Sequence, residues 1–193
     1  MNLRQWLKTY TLDLRANSGY PKSQAVLFGL RSAQYLKSKS NPLARIAYIL
    51  VGGFYKLSSE WILGIEIPVS TQIGPGLRIR HGVGIVLSPH AVLGRNVLLR
   101  QGVTIGNRRT LTDCPIVGDD VEIGASASLI GPIVIGTRAR IGAGVVLIED
   151  MPDYAVAYTT GVVVRAGRAA LQADEPVSKK GALGLTAPSP DAI

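Results

Sequence analysis

The 193-residue sequence predicts a mainly β fold, a parallel β-helix preceded by a small α-helical region, and three observations carry that prediction. From about Ile65 to Leu147, apolar residues recur every six positions. Aromatic residues are only 6% of a chain that is 47% hydrophobic and holds 22 glycines, so the core must be built in thin layers of Ile, Leu, Val and Ala. Before residue 65, the apolar spacing is helical instead. The boundaries follow: a helical N-terminal region at 1–64, the β-helix at 65–165, and a C-terminal tail at 166–193 that is rich in Ala, Pro, Gly and Ser and expected to be disordered from about 172.

The helical region reads as three segments. Leu3, Trp6, Leu7, Tyr10 and Leu14 line one helical stripe. Asn17-Ser18-Gly19-Tyr20-Pro21 then marks a loop. Ser23 is placed to cap a second helix that runs to about Lys37, and Ser40-Asn41-Pro42 breaks the chain before a third. That third segment carries Leu43, Ile46, Ala47, Leu50, Phe54 and Leu57, and all three are read as packing helices.

The repeat itself has two series. Ile67, Ile73, Ile79 and Ile85 form the first; a second, displaced by two positions, reads Leu87, Leu93, Leu99, Ile105, Leu111, Val117, Ile123, Leu129, Ile135, Ile141, Leu147. None of these positions is charged. The next residue is often glycine, as at Gly74, Gly94, Gly118 and Gly124, and the fifth position of the unit is usually small or β-branched, as at Val83, Ala91 and Val97. A 3.6-residue helix would scatter this pattern around its circumference, and a plain strand would not need glycine so regularly. Short strands joined by corners that glycine bends satisfy it, with three sides and eighteen residues to a coil. Stacking coils at about 4.8 Å would then set Ile105, Ile123 and Ile141 in one column.

Composition excludes several functions. Cys114, the single cysteine, makes neither an intrachain disulfide nor a CxxC metal site, and no signal-peptide layout opens the chain, so a cytoplasmic protein is expected. The longest uncharged apolar run, Ile46 to Tyr55, falls short of the roughly 20 residues that span a bilayer. The net charge of +8 is uneven, because residues 1–66 hold nine Lys/Arg against three Asp/Glu. A basic head suits nucleic acid, an anionic membrane face or a phosphate-bearing ligand. Nucleic acid is disfavoured, since zinc-finger spacing, an RNP-like strand and a helix-turn-helix are all missing. The basic helices are read as a solvated or subunit-packing surface, with peripheral contact to an anionic membrane as the sharper alternative.

Units such as Ile123-Gly124-Ala125-Ser126-Ala127-Ser128 and Ile141-Gly142-Ala143-Gly144-Val145-Val146 resemble those of the hexapeptide-repeat acyltransferases over roughly residues 65–165. The resemblance implies a left-handed β-helix and a homotrimer; the period alone leaves handedness open. Gly64-Ile65-Glu66-Ile67, Ile79-Arg80-His81-Gly82-Val83-Gly84-Ile85-Val86 and Gly102-Val103-Thr104-Ile105-Gly106 look like the serine acetyltransferase branch. Leu12-Asp13-Leu14-Arg15-Ala16-Asn17-Ser18 and Gly102 to Arg108 are closer still to the colanic-acid-type exopolysaccharide acetyltransferases of that branch.

The resemblance places the catalytic base at His81 and its orienting carboxylate at Glu66, where serine acetyltransferases usually have Asp. They lie fifteen residues apart, nearly one expected coil. The co-substrate implied is acetyl-CoA, with no metal. Its thioester is already activated, so the acceptor hydroxyl need only lose a proton as it attacks, a task suited to an imidazole that titrates near neutrality. Gly106, Asn107, Arg108, Ala125 and Ala143 are implied to line the coenzyme groove, and Arg165 and Arg168 could face its phosphates. Where the serine enzymes place Arg-His before a proline near the acceptor, this chain reads Asp113-Cys114-Pro115. A free amino acid would lose the cation that pairs its carboxylate. The acceptor favoured is therefore a sugar hydroxyl on an exopolysaccharide or its lipid-linked precursor. Serine O-acetylation for cysteine biosynthesis and a non-catalytic trimeric scaffold are the alternatives. His90, after Pro89, reads as an exposed corner residue.

Overall fold

The computed structural model describes residues 2–159. The predicted segment 160–165, the tail 166–193 and the phosphate candidates Arg165 and Arg168 lie outside the described residues. Helix α1 (Leu3–Ala16) begins with a capping box, in which the Gln5 N–H donates to Asn2 Oδ1 at 2.8 Å and the Asn2 N–H to Gln5 Oε1 at 3.0 Å. Helix α2 (Pro21–Lys37) starts on a proline, where the ring costs no hydrogen bond. Ser23 therefore sits inside α2 rather than at its cap. Asn41 caps α3 (Pro42–Lys56), accepting from the Ala44 N–H at 2.7 Å, and a π-helical turn, Leu57–Ile62, continues it. Trp6, Tyr10, Phe28 and Tyr35 pack α1 against α2 with ring centroids 5.3–6.2 Å apart.

Strands of two or three residues then wind into a coil with three parallel faces. Face A stacks β1 (Ile65–Glu66), β4 (Ile85–Leu87), β7 (Thr104–Gly106), β10 (Ser128–Ile130) and β13 (Val146–Leu147). Face B stacks β2 (Gln72–Ile73), β5 (Val92–Leu93), β8 (Ile116–Val117) and β11 (Val134–Ile135). Face C stacks β3 (Arg78–Arg80), β6 (Leu98–Arg100), β9 (Glu122–Ile123), β12 (Arg140–Ile141) and β14 (Val156–Ala157). Ile79, Leu99, Ile105, Ile123 and Leu129 fill the axis, fully buried.

The coil departs from the uniform eighteen-residue turn in three places, the last being a shortened final turn in which Ile135 faces Met151 and Arg140 faces Val156, a step of sixteen. Val86 faces Thr104 and Ser128 faces Val146, both eighteen residues on. Ile65 faces Ile85, however, a step of twenty, and Thr104 faces Ser128, a step of twenty-four. The two extra residues lie in the corner between β3 and β4, and the six extra lie between β7 and β8. Three expectations are corrected as a result. Ile105 stacks on Leu129, not on Ile123, whose column holds Leu99 and Ile141. Leu111 is 74% exposed because it lies in the inserted loop. Val83 points outward for the same reason at the other insertion.

The repeated glycines have a different cause from the expected bend. Gly74, Gly94, Gly118 and Gly124 are not left-handed; a Cβ at Gly94 would stand 2.6 Å from the Gly118 backbone, and at Gly124 2.6 Å from Gly142. They let successive coils touch. Most of the left-handed positions form two separate ladders up the corners, Gly64, Gly84, Gly102, Ser126, Gly144 and Gly76, Asn96, Asp120, Arg138, Tyr154.

The helices cap the open end of the coil, whose first turn would otherwise expose unpaired backbone groups. The Asp13 carboxylate accepts from the Gly76 and Leu77 N–H groups at 2.7 and 3.0 Å. Asn17 bridges the Leu77 carbonyl and the Ile79 N–H at 2.7 and 2.9 Å. Arg31 donates to the Ile73 and Gly74 carbonyls at 2.9 and 2.7 Å, Ser23 to Ile79 at 3.0 Å, and Tyr55 to Ile67 at 2.8 Å. Asp13 and Arg31 also pair with each other at 2.8 Å, both fully buried. Burial pushes the Tyr55 phenol above its usual range.

Candidate active site

Face A and its two bordering edges gather the predicted residues. Its outward side chains run in register as Glu66, Val86, Thr104, Ser128 and Val146. The edge between faces C and A carries His81 at the helical end, with Ala125 and Ala143 above it. Backbone hydrogen bonds tie this edge together, from Gly84 N–H to Gly64 O at 2.6 Å, Gly102 to Val83 at 2.9 Å, Ser126 to Gln101 at 2.8 Å and Gly144 to Ala125 at 2.8 Å. The edge between faces A and B carries Gly106, Asn107, Arg108, Asp113 and Cys114 in and around the six-residue insertion.

His81 sits in the two-residue insertion. Its φ of 56° is left-handed, and of the six such non-glycine residues described it is the one on neither corner ladder. The coil therefore does not require this conformation; the insertion imposes it. The Val83 N–H closes the turn on the His81 carbonyl at 2.7 Å. Gly82 lies on the core beneath, where a Cβ would come within 2.7 Å of the Ile79 side chain and 2.9 Å of Ile65. These constraints project the imidazole outward, exposed.

Sequence reasoning missed the wall beside it. The Tyr20 ring meets the imidazole edge-on, centroids 6.4 Å apart at 86°, and the Arg80 guanidinium lies 3.9 Å over the same ring. Arg80 is anchored to Asn17 Oδ1 at 3.0 Å and to the Ala16 carbonyl at 2.9 Å. The α1–α2 loop, read from sequence only as a break, thus lies against the candidate site. Only the aromatic and polar residues in that loop could have signalled it.

Glu66 lies on face A at the helical end, exposed, bordering a groove of about 380 Å³ shared with Tyr48, Ile49 and Lys56 of α3. No hydrogen bond or ion pair joins Glu66 to His81 among the described residues. Their coil is twenty residues long, so Glu66 stands level with Val86, not with the His81 corner.

Asp113 closes the inserted loop, its two oxygens accepting from the Arg109 and Thr110 N–H groups at 2.9 and 2.8 Å. Desolvation works against its charge, but these two donors outweigh it and hold the carboxyl below its usual range. Cys114 is buried at the loop base, its Sγ 3.1 Å from Ser88 Oγ and 3.4 Å from the Leu111 carbonyl. Arg108 lies against Gly131, whose N–H donates to the Gly106 carbonyl at 3.0 Å. His90 is exposed at a corner, its N–H donating to Ser88 Oγ at 3.3 Å.

Comparison with known proteins agrees with this architecture. Residues 114–149 match the family described as bacterial transferase hexapeptide (six repeats). A protein named a colanic acid biosynthesis acetyltransferase, WcaB, in Escherichia coli (strain K12) is 35% identical over 149 residues, 75% of this chain and 91% of that protein. The serine acetyltransferase of Bacillus subtilis (strain 168) is 36% identical over 114 residues, and the match spans about half of that enzyme's length, 52%. Among solved structures, the Neisseria gonorrhoeae serine acetyltransferase in complex with serine aligns with a TM-score of 0.67 at 28% identity, covering 84% of this chain and 69% of that one. An Entamoeba histolytica serine acetyltransferase in complex with cysteine, at 24% identity and a TM-score of 0.69, shares the fold. The coil is thus the left-handed β-helix that the resemblance implied. With a relative alike along nine-tenths of its length, and two insertions flanking one face of the repeat, the chain belongs to the hexapeptide-repeat acetyltransferase family.

Proposed function

We propose that this enzyme moves the acetyl group of acetyl-CoA to a sugar hydroxyl of an exopolysaccharide or its lipid-linked precursor, with His81 as the general base. The hydroxyl attacks the thioester carbonyl while His81 takes its proton, and the coenzyme A thiolate leaves and is reprotonated. Such base assistance contributes roughly 10²–10⁴-fold. Glu66 acts as the supporting carboxylate once its side chain turns toward the His81 corner. The coenzyme runs along face A, between the Ala125–Ala143 edge and the Gly106–Arg108 loop, in a groove completed by the neighbouring subunit of a cytoplasmic homotrimer. Val86 and Val146, apolar and exposed on that face, suit such an enclosure.

The observation that carries the acceptor assignment is the base of the inserted loop. Asp113 spends its carboxylate on the loop's own amides and Cys114 is buried, so the position offers no cation to an amino-acid carboxylate. Serine remains the second reading, favoured by the aligned Neisseria enzyme that holds serine. Thiol release from acetyl-CoA, measured with oligosaccharide and lipid-linked sugar acceptors against free L-serine, separates the two. Turnover is expected with a sugar and to fall about 10²–10⁴-fold in His81→Ala. Serine outpacing every sugar would overturn the acceptor, and full activity in His81→Ala would overturn the mechanism.

A further inference from the structure

The third helix is turned the wrong way for a packing helix. Its most apolar stripe, predicted to bury, faces out: Leu43, Ile46, Leu50, Phe54, Leu57 and Trp61 are exposed, Leu43 at 77%, Phe54 at 73% and Trp61 at 81%. The side packed on the protein is instead Ala44, Tyr55 and Ser59. The stripe extends over about 27 Å of helix at 1.5 Å per residue. Its middle opens into an apolar cleft of about 620 Å³ between α2 and α3, walled by Phe28, Leu50 and Phe54.

The charge around this stripe selects its partner. Between Leu14 and Ser59 the chain has no acidic residue and seven basic ones, and Glu60, in the π-helical turn, is offset by Lys56 at 3.8 Å. Arg31 is consumed by Asp13; Arg15, Lys22, Lys37, Arg45 and Lys56 are exposed. A second copy laid face to face would bring like charges together at close range. An anionic surface with an apolar interior satisfies both the stripe and the charges around it. No helix described is long and apolar enough to cross a membrane, so the segment is suited to lie in the interface rather than span it.

We infer that α3 and its π-helical turn dock the enzyme on an anionic lipid bilayer, with Leu50, Phe54 and Trp61 in the acyl boundary and Arg45 and Lys37 among the headgroups. The inference does not depend on which acceptor is acetylated. It places the end of the coil carrying Glu66 and His81 next to the membrane, because Glu66 shares a groove with Tyr48, Ile49 and Lys56.

The test is co-sedimentation of the full chain with vesicles of phosphatidylglycerol and phosphatidylcholine in equal parts, against phosphatidylcholine alone. Partitioning is expected to favour the anionic vesicles by at least about tenfold and to weaken as salt rises. The exposed substitutions Leu50→Glu with Phe54→Glu are expected to abolish it at unchanged circular dichroism and unchanged solution mass. In a Trp6→Phe background Trp61 is the single indole, and its emission is expected to shift to the blue on anionic vesicles. No partitioning, equal partitioning of the Leu50→Glu, Phe54→Glu protein, or a fall in its oligomeric mass would overturn the inference, the last by assigning the stripe to a second copy.

Discussion

Replacing Asp13 tests whether the helices are an accessory or the cap that the coil requires. Asp13→Ala removes one partner of a fully buried pair and leaves the Arg31 charge uncompensated, an event that typically costs about 3–5 kcal/mol. That alone would not separate a salt bridge from a cap. The double substitution Asp13→Leu, Arg31→Leu does, because replacing both members of a buried ion pair with apolar residues is often nearly neutral. Here it would also strip partners from four backbone groups, the Gly76 and Leu77 N–H groups and the Ile73 and Gly74 carbonyls. The two N–H groups are buried, and each left unsatisfied costs about 1–3 kcal/mol, so the double variant is expected to remain at least about 2 kcal/mol less stable than the parent. Urea unfolding followed by circular dichroism gives the stability difference, and hydrogen exchange at Gly76, Leu77 and Ile79 locates it in the first coil. A double variant within about 1 kcal/mol of the parent would refute the capping argument.

Two predictions concern the inserted loop. Since the folded Asp113 carboxyl is held below its usual range, its contribution to loop order is present above the ordinary carboxylate pKa of about 3.9 and is lost only as pH falls through the lower folded value. Protection of the Arg109 and Thr110 amides, after correction for intrinsic exchange, is therefore expected to hold from neutral pH down to about pH 4, and to be reduced at every pH in Asp113→Asn. Deleting residues 107–112 restores an eighteen-residue step between Thr104 and Ser128 without changing the phase of the repeat. The shortened chain is expected to keep its circular dichroism spectrum and to lose acetyl transfer, as read by thiol release.

Much of the fold was legible because the repeat is arithmetic. Ile79, Leu99, Ile123 and Leu129 sit where the period places them, and the helical head stands apart by its different spacing. The failures are arithmetic too. An insertion of six residues leaves a period of six intact, so Leu111 keeps its place in the series while leaving the core, and Ile105 loses its assumed neighbour Ile123. The insertion of two is visible as the displacement between the Ile85 and Leu87 series. Asp13, Asn17 and Arg31 were illegible as a cap because their partners are backbone groups some 40–65 residues further along, which no local pattern encodes. The α3 stripe was read as buried because amphipathicity reports that a helix has an apolar face, not what covers it.

The two insertions also explain why the candidate site lies where it does. A regular coil presents the same outward positions turn after turn, which suits stacking but provides no particular group for chemistry. An extra pair of residues at one corner forces His81 into a left-handed, exposed conformation, seated on Gly82 and walled by Tyr20. An extra six at the opposite edge of the same face raise a loop closed by Asp113 and rooted by Cys114. The regular coils above, with Ala125 and Ala143 at their corners, leave the face between these edges lined by small and β-branched side chains. On the proposed function, the base and the acceptor loop thus enter this fold where the repeat is broken, and the coenzyme surface lies where it is kept.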